Sequence, residues 1–386
     1  MKKHFILLVA VLFAVSVMAQ EAAAPAEAEN VKKDWQWSGI VGINASATGM
    51  VNWAAGGKNN VTGTAFGKVR CLYEKNSLSW DTDIDVEYGL TYVDQTYDKL
   101  QKSSDHFKLN TKFGWAFAKQ WYLTVNAGFQ TQFDLGRKYT GTPASNPIVS
   151  NILAPSYTDI SVGIDWKPNS IFSVYLSPVA GRITTAYISN KVNDEFKDDV
   201  DADGNRLYAV DLRQSLQESY GVWKYVSDDA TGGLAKKYMN ARAELGLTLK
   251  GSINWSYKDL KIITNLTLYT PYAWDKTKLY NFSYDDGQEI INGVFTSGQL
   301  AKKAAAGYDT STATYLGFRD NNRRFGNFDV DWDVAISYQF LKCLNVTLST
   351  NLKYVNGLKI ADKNGNNPVE RVQFLANLGL GVSYAF

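Results

Sequence analysis

The carboxyl-terminal stretch RVQFLANLGLGVSYAF, Arg371 to Phe386, decides the fold. Counting back from the end, Phe386, Tyr384, Val382, Leu380, Leu378, Ala376, Phe374 and Val372 are apolar. Between them Ala385, Ser383, Gly381, Gly379, Asn377 and Gln373 are small or polar, and Leu375 alone breaks the rule. Successive side chains of a strand point to opposite faces, so this pattern gives one apolar face and one polar face. It is sustained far longer than the usual strand of roughly five or six residues. A strand of this length and patterning suits a wall between hydrocarbon and a polar lumen.

The final Phe386, with Tyr384 two places before it, resembles the terminal strand by which bacterial outer-membrane barrels are recognised for insertion. That resemblance implies outer-membrane lipid and the barrel-assembly machinery as partners. The other end of the chain agrees. Lys2 and Lys3, the apolar run Phe5 to Val15 and the small-residue close Val17-Met18-Ala19 read as a signal peptide over 1–19, cut before Gln20. No Cys follows the cut, so a lipid anchor is not expected. Gln20 to Asp34, rich in Ala, Glu and Pro, has no usable apolar face and reads as a disordered periplasmic arm. No other stretch reaches the roughly 18 apolar residues of a membrane helix, and the mean hydropathy is negative. A barrel is the other way to satisfy every backbone group in lipid.

The alternation repeats from Trp35 onward. Twelve segments are expected, at 36–50, 61–75, 78–93, 105–118, 121–135, 157–167, 171–184, 239–256, 260–273, 326–341, 344–356 and 369–386. Connections after even-numbered segments are short and those after odd-numbered ones longer, two of them, about 185–238 and 274–325, very long. An even strand count with short turns on one rim and long loops on the other is the outer-membrane arrangement. It places both termini in the periplasm and the long loops outside the cell. Aromatic residues mark both rims: Tyr73, Trp80, Phe117, Trp121, Trp166, Phe172, Trp255, Phe340 and Phe386 near the short turns, and Tyr88, Tyr92, Phe107, Phe133, Tyr272, Trp274 and Phe328 near the long loops. A secreted sandwich also alternates, but its strands are shorter and need no belts. The expected fold is therefore all-β, a single twelve-stranded antiparallel transmembrane barrel over 35–386.

Alternation also assigns the inner face. Asp81, Asp83, Asp85 and Glu87 form an acidic ladder on the third segment, flanked by Lys68, Arg70 and Glu74 on the second and by Lys108, Asn110 and Lys112 on the fourth. Asp329, Asp331 and Asp333 form a second acidic ladder on the tenth segment, and Arg242, Glu244 and Lys250 come from the eighth, Lys261 from the ninth and Lys353 from the eleventh. Two readings stand side by side. The charges line a water-filled path for small hydrophilic solutes, or they pair across the ladders and fill the interior. The two long loops carry helix-prone pieces, Arg213 to Trp223 and Ser297 to Ala306, which could fold over the mouth.

Lys+Arg number 40 and Asp+Glu 38, a net charge of +2, so no bulk charge points to nucleic acid. Cys71 and Cys343 are too few for a disulfide scaffold and fall on distant segments. Asp199, Asp201 and Asp203, followed by Gly204, resemble the opening of a calcium loop, but the twelfth position is Val210 rather than a glutamate. A solvated acidic turn competes with a calcium site there, and no other cofactor is expected. Catalysis has little support. His106 is the one histidine of the mature chain, and no nucleophile is fixed beside it by sequence. Trp53-Ala-Ala-Gly56-Gly57-Lys58-Asn59 is similar to the W-x-x-G-G-x-N stretch of an uncharacterised family of Bacteroidota outer-membrane barrels. The resemblance implies fold and location and carries no substrate or catalytic residue. Three functions remain open: a channel for small hydrophilic solutes, a closed barrel acting through its loops as a surface-binding protein or assembly subunit, and, with least support, an outer-membrane enzyme.

Overall fold

The computed structural model describes residues 34–48, 59–94, 96, 98–139, 146–169, 171–201, 203–287, 289–319, 323–341, 344–360 and 369–385. The segments read as signal and arm, all but Asp34, the Trp53–Lys58 part of the Gly-Gly motif, Cys343 and Phe386 lie outside the described residues.

The chain opens with strands β1 (Trp35–Thr48), β2 (Asn60–Lys75), β3 (Leu78–Val93), β4 (Leu100–Ala118) and β5 (Trp121–Thr131), then a small ribbon of β6 (Gly136–Arg137) and β7 (Ile148–Ser150). Strands β8 (Ser156–Trp166) and β9 (Phe172–Thr185) lead into helices α1 (Asn190–Phe196) and α2 (Leu212–Ser219) and the hairpin β10 (Trp223–Asp228) with β11 (Gly233–Tyr238). Strands β12 (Ala241–Tyr257) and β13 (Leu260–Pro271) follow, then β14 (Lys278–Asp285), β15 (Ile290–Thr296), helix α3 (Ser297–Ala305) and β16 (Thr314–Phe318). The chain ends with β17 (Asp329–Gln339), β18 (Leu344–Tyr354), the short β19 (Lys359–Ile360) and β20 (Val369–Glu370), and β21 (Gln373–Ala385).

Twelve of these strands hydrogen-bond antiparallel into a closed barrel in the order β1-β2-β3-β4-β5-β8-β9-β12-β13-β17-β18-β21, and β21 returns to pair with β1 from Ile40↔Ala385 to Ala45↔Leu380. Closure leaves no sheet edge. The pleat then does what the alternation predicts. Phe374, Leu378, Leu380 and Val382 of β21, Trp80 and Ile84 of β3, Phe113, Trp115 and Phe117 of β4, and Ile160, Val162 and Ile164 of β8 are exposed on the outside. So continuous an apolar outer surface is unsuited to water and suited to hydrocarbon. The tight turns are two-residue hairpins whose geometry needs a left-handed residue: Asn76 at φ 54°, Gln120 at 73° and Lys258 at 51° supply it.

The last strand begins at Gln373 rather than 369, because Val369 and Glu370 pair with Lys359 and Ile360 in a ribbon of their own. The two long connections are folded. Each contributes strands to one five-stranded sheet, β10-β11-β15-β14-β16, joined across the loops by the pair Leu234↔Val294. Trp223, Tyr225, Leu234 and Leu279 form one of its cores, and Phe282, Tyr284 and Phe295 another, with Leu300 of α3 packed on the second. Helices α1 and α2 pack with β7 around Ile148, Ile188, Tyr208, Leu212 and Leu216. Asp211 caps α2 by accepting from the Gln214 amide, and Thr296 and Gln299 make a reciprocal capping box on α3. The long-loop rim thus carries a small folded unit with cores separate from the barrel wall.

Candidate functional site

The inner face of the barrel is built from the charged ladders. Register sets Lys68 opposite Asp85 and Arg70 opposite Asp83, and on the other side of β3 sets Asp81 opposite Lys112, Asp85 opposite Lys108 and Glu87 opposite His106. Partners are then chosen by reach. Arg70 grips Asp81 with both arms of its fork, Nε to Oδ1 at 2.7 Å and Nη2 to Oδ2 at 2.5 Å, and stands 3.9 Å from Asp83. Asp85 is held from both sides, by Lys68 Nζ at 3.0 Å and by His106 Nε2 at 3.1 Å.

That arrangement leaves Lys108 to look elsewhere. Its Nζ lies 3.4 Å from Asp333 Oδ2 on β17. Strand β4 is fourth in the ring and β17 tenth, so the pair joins opposite walls. A round barrel of twelve strands would hold opposite backbones roughly 20–25 Å apart, well beyond the reach of a lysine and an aspartate laid end to end. The ring is therefore flattened at this level. On the β17 side, Asn351 Nδ2 donates to both Asp331 Oδ1 and Asp333 Oδ1 at 2.8 Å and holds the two carboxylates in place. A second crossing lies nearer the long-loop rim, where Lys353 Nζ of β18 sits 4.7 Å from the ring centre of Tyr157 on β8.

The Lys108–Asp333 bar divides the interior into two lobes. On the β5–β13 side the polar groups are packed away: Asn126, Ser161, Asp165, Tyr175, Ser177, Tyr269 and Thr270 are all buried. Lys112 and Lys167 approach Asp165 at 3.8 and 3.6 Å, Ser173 donates to it at 2.6 Å, and Lys250 meets Asp159 at 3.4 Å. On the other side, between β3 and β18, Asp81 is buried against Arg70, but other charges on this side and at the bar stay more open. The side chains of Asp83, Lys68 and Asp333 keep 52, 44 and 42 % of their surface accessible. Phe66 also turns inward there and lies against Gly42, where a Cβ would stand 2.7 Å from its ring.

At the long-loop rim an arginine not expected from the pattern closes the packed lobe. Arg323, 4 % exposed, donates from Nε to Glu244 at 2.6 Å, from Nη2 to Asp329 Oδ2 at 2.9 Å and from Nη1 to the Asn356 carbonyl at 2.9 Å. Arg182 reaches the same Asp329 oxygen at 2.9 Å, while Arg242 donates to Glu244 at 3.4 Å and to the Gly221 carbonyl. Burial alone would lower the Arg323 pKa, but the carboxylates of Asp329 and Glu244 more than offset it and push it up, so the guanidinium is firmly charged.

Asp199, Asp201 and Asp203 do not converge. Asp201 instead accepts the amides of Asn205 at 2.8 Å and Asp203 at 3.0 Å, folding the turn around itself, and the Asn205 amide holds its carboxyl below the usual carboxylate range. Among the described residues no group of three His, Cys, Asp or Glu side chains is placed to hold a metal.

Comparison with known proteins finds one family model, "Protein of unknown function (DUF3078)", matching residues 45–136, from the later part of β1 to β6. No curated protein matches the chain. Among solved structures the chain is similar to an outer-membrane channel from Pseudomonas putida F1, at 10% identity over 94% of this chain and 100% of that one, with a TM-score of 0.34. It is also similar to the translocator domain of the autotransporter NalP from Neisseria meningitidis, at 7% identity over 98% of each chain and a TM-score of 0.33. The overlap is loose at these scores, and the barrel is established by its own hydrogen-bonded ring.

Proposed function

We propose that this chain is a barrel of the bacterial outer membrane that passes small hydrophilic solutes through one hydrated lobe of its lumen. The observation that carries the reading is the accessibility of Asp83, Lys68 and Asp333, which face the inside of a closed ring and yet retain about half of their side-chain surface to water. Ionised groups inside a wall of hydrocarbon-facing strands require water or a partner on every open side. The lobe between β3 and β18 supplies that water, the packed lobe does not, and the Lys108–Asp333 bar narrows the path at mid-height. Osmotic swelling of liposomes containing the purified protein tests this. Entry of erythritol or of diglycine above the rate of protein-free vesicles supports it, and rates equal to empty vesicles for both contradict it.

A second reading is favoured by the folded unit at the long-loop rim. A five-stranded sheet with its own aromatic cores is more structure than closing two hairpins requires. It suits a barrel that presents a surface for binding. Swelling that is absent, together with a partner co-purifying through that unit, would select this reading.

A further inference from the structure

We propose that the solutes favoured by this channel are small zwitterions, molecules carrying both a carboxylate and an ammonium, such as amino acids and short peptides. The inference rests on the channel reading above and names its substrate class.

The basis is the bar itself. Lys108 on β4 and Asp333 on β17 meet at 3.4 Å from opposite walls and border the open lobe, so a solute wider than the space beside them must part them to pass their level. The two halves differ in how their own walls hold them. Asp85, the register neighbour of Lys108, is occupied by Lys68 and His106, so it is a poor alternative partner for the freed ammonium. Asp333 and Asp331 are fixed by Asn351, so the carboxylates stay aimed at the gap when Lys108 leaves. Parting the bar therefore leaves a positive jaw facing a negative jaw, both partly screened from water.

A neutral solute in that gap satisfies neither jaw, and a singly charged solute satisfies one and opposes the other. A zwitterion satisfies both: its carboxylate replaces Asp333 beside Lys108, and its ammonium replaces Lys108 beside Asp333. The number of ion pairs at the constriction is unchanged, and the penalty of stranding a partly buried charge is avoided. The fixed acidic jaw adds to the effect, because little ordering of Asp331 and Asp333 remains to be done when the solute arrives.

The experiment is swelling of proteoliposomes in diglycine, N-acetylglycine and erythritol, with the full mature chain and three variants. In the wild type, diglycine is expected to enter at least about tenfold faster than erythritol, the scale of a close charge-pair coupling, and faster than anionic N-acetylglycine. In Lys108→Met and in Asp333→Asn, erythritol speeds up because the bar is gone, and the diglycine advantage falls to within about twofold. The double reversal Lys108→Asp with Asp333→Lys restores the advantage, since a zwitterion can enter turned round. Equal rates for diglycine and erythritol in a working wild-type pore overturn the zwitterion inference alone. So does an advantage that survives in both single variants. No entry of any solute in the wild type and both single variants overturns the channel reading and the inference with it.

Discussion

At the scale of single residues, the two aspartates Asp81 and Asp83 have opposite surroundings, and the proposed channel gives them separate roles, one structural and one functional. They sit two positions apart on the same face of β3, yet Asp81 is gripped by the Arg70 fork and buried, whereas Asp83 is half exposed to the lumen. Asp81→Asn is expected to destabilise the barrel by about 1–2 kcal/mol, since it weakens a charge-assisted fork at a partly wet arginine. Thermal unfolding in detergent reads this. Asp83→Asn should leave that midpoint nearly unchanged and shift the reversal potential in a salt gradient away from cations; the opposite assignment of effects would reverse the two roles. Asp201 makes a pH prediction. Its folded pKa is lowered by the Asn205 amide, so its contribution to the turn is present above the ordinary carboxylate pKa of about 4 and is lost as pH falls through the folded value. Hydrogen-exchange protection of the Asn205 amide, corrected for intrinsic rate, should drop below about pH 4, and Asp201→Ala should abolish that drop. The inward positions of Lys68, Arg70, Asp81, Asp83 and Asp85 are readable from alternation alone. The Lys108–Asp333 bar is not, because it depends on a flattening of the ring that no local pattern encodes.

At the scale of elements, the strands of the barrel are legible because each one must alternate between lipid and lumen along its whole length, and because two-residue turns such as Asn76-Ser77 stop it cleanly. The outer sheet is not legible in the same way. Its strands are short, and the one pair that unites its halves, Leu234↔Val294, joins two loops separated by the whole β12–β13 hairpin. Its cores predict independence. Trp223→Ala removes a buried ring packed on Tyr225 at 5.0 Å and should cost about 3–5 kcal/mol locally. Limited proteolysis should then cut residues 223–238 while the barrel keeps its resistance to cold detergent; simultaneous loss of both would show that the two units fold together. Arg323 ties the connection after β16 to β12, β17 and the turn after β18. Arg323→Met leaves buried Asp329 and partly buried Glu244 with fewer partners and is expected to lower stability by about 3 kcal/mol. An unchanged unfolding midpoint would contradict a structural role for that network.

At the scale of the whole molecule, an apolar outer surface and a closed ring enclose an interior that is packed on the β5–β13 side of the Lys108–Asp333 bar and more open on the other. On the proposed function, the two readings open at the sequence level, pore and filled interior, each describe one lobe. The measurement that tests this most directly is single-channel recording of the purified protein in a planar bilayer, before and after Asp333→Asn. A small, steady conductance that rises when the bar is removed is the predicted result. Electrical silence in both proteins, with the barrel shown to be folded and inserted, would contradict a continuous water path.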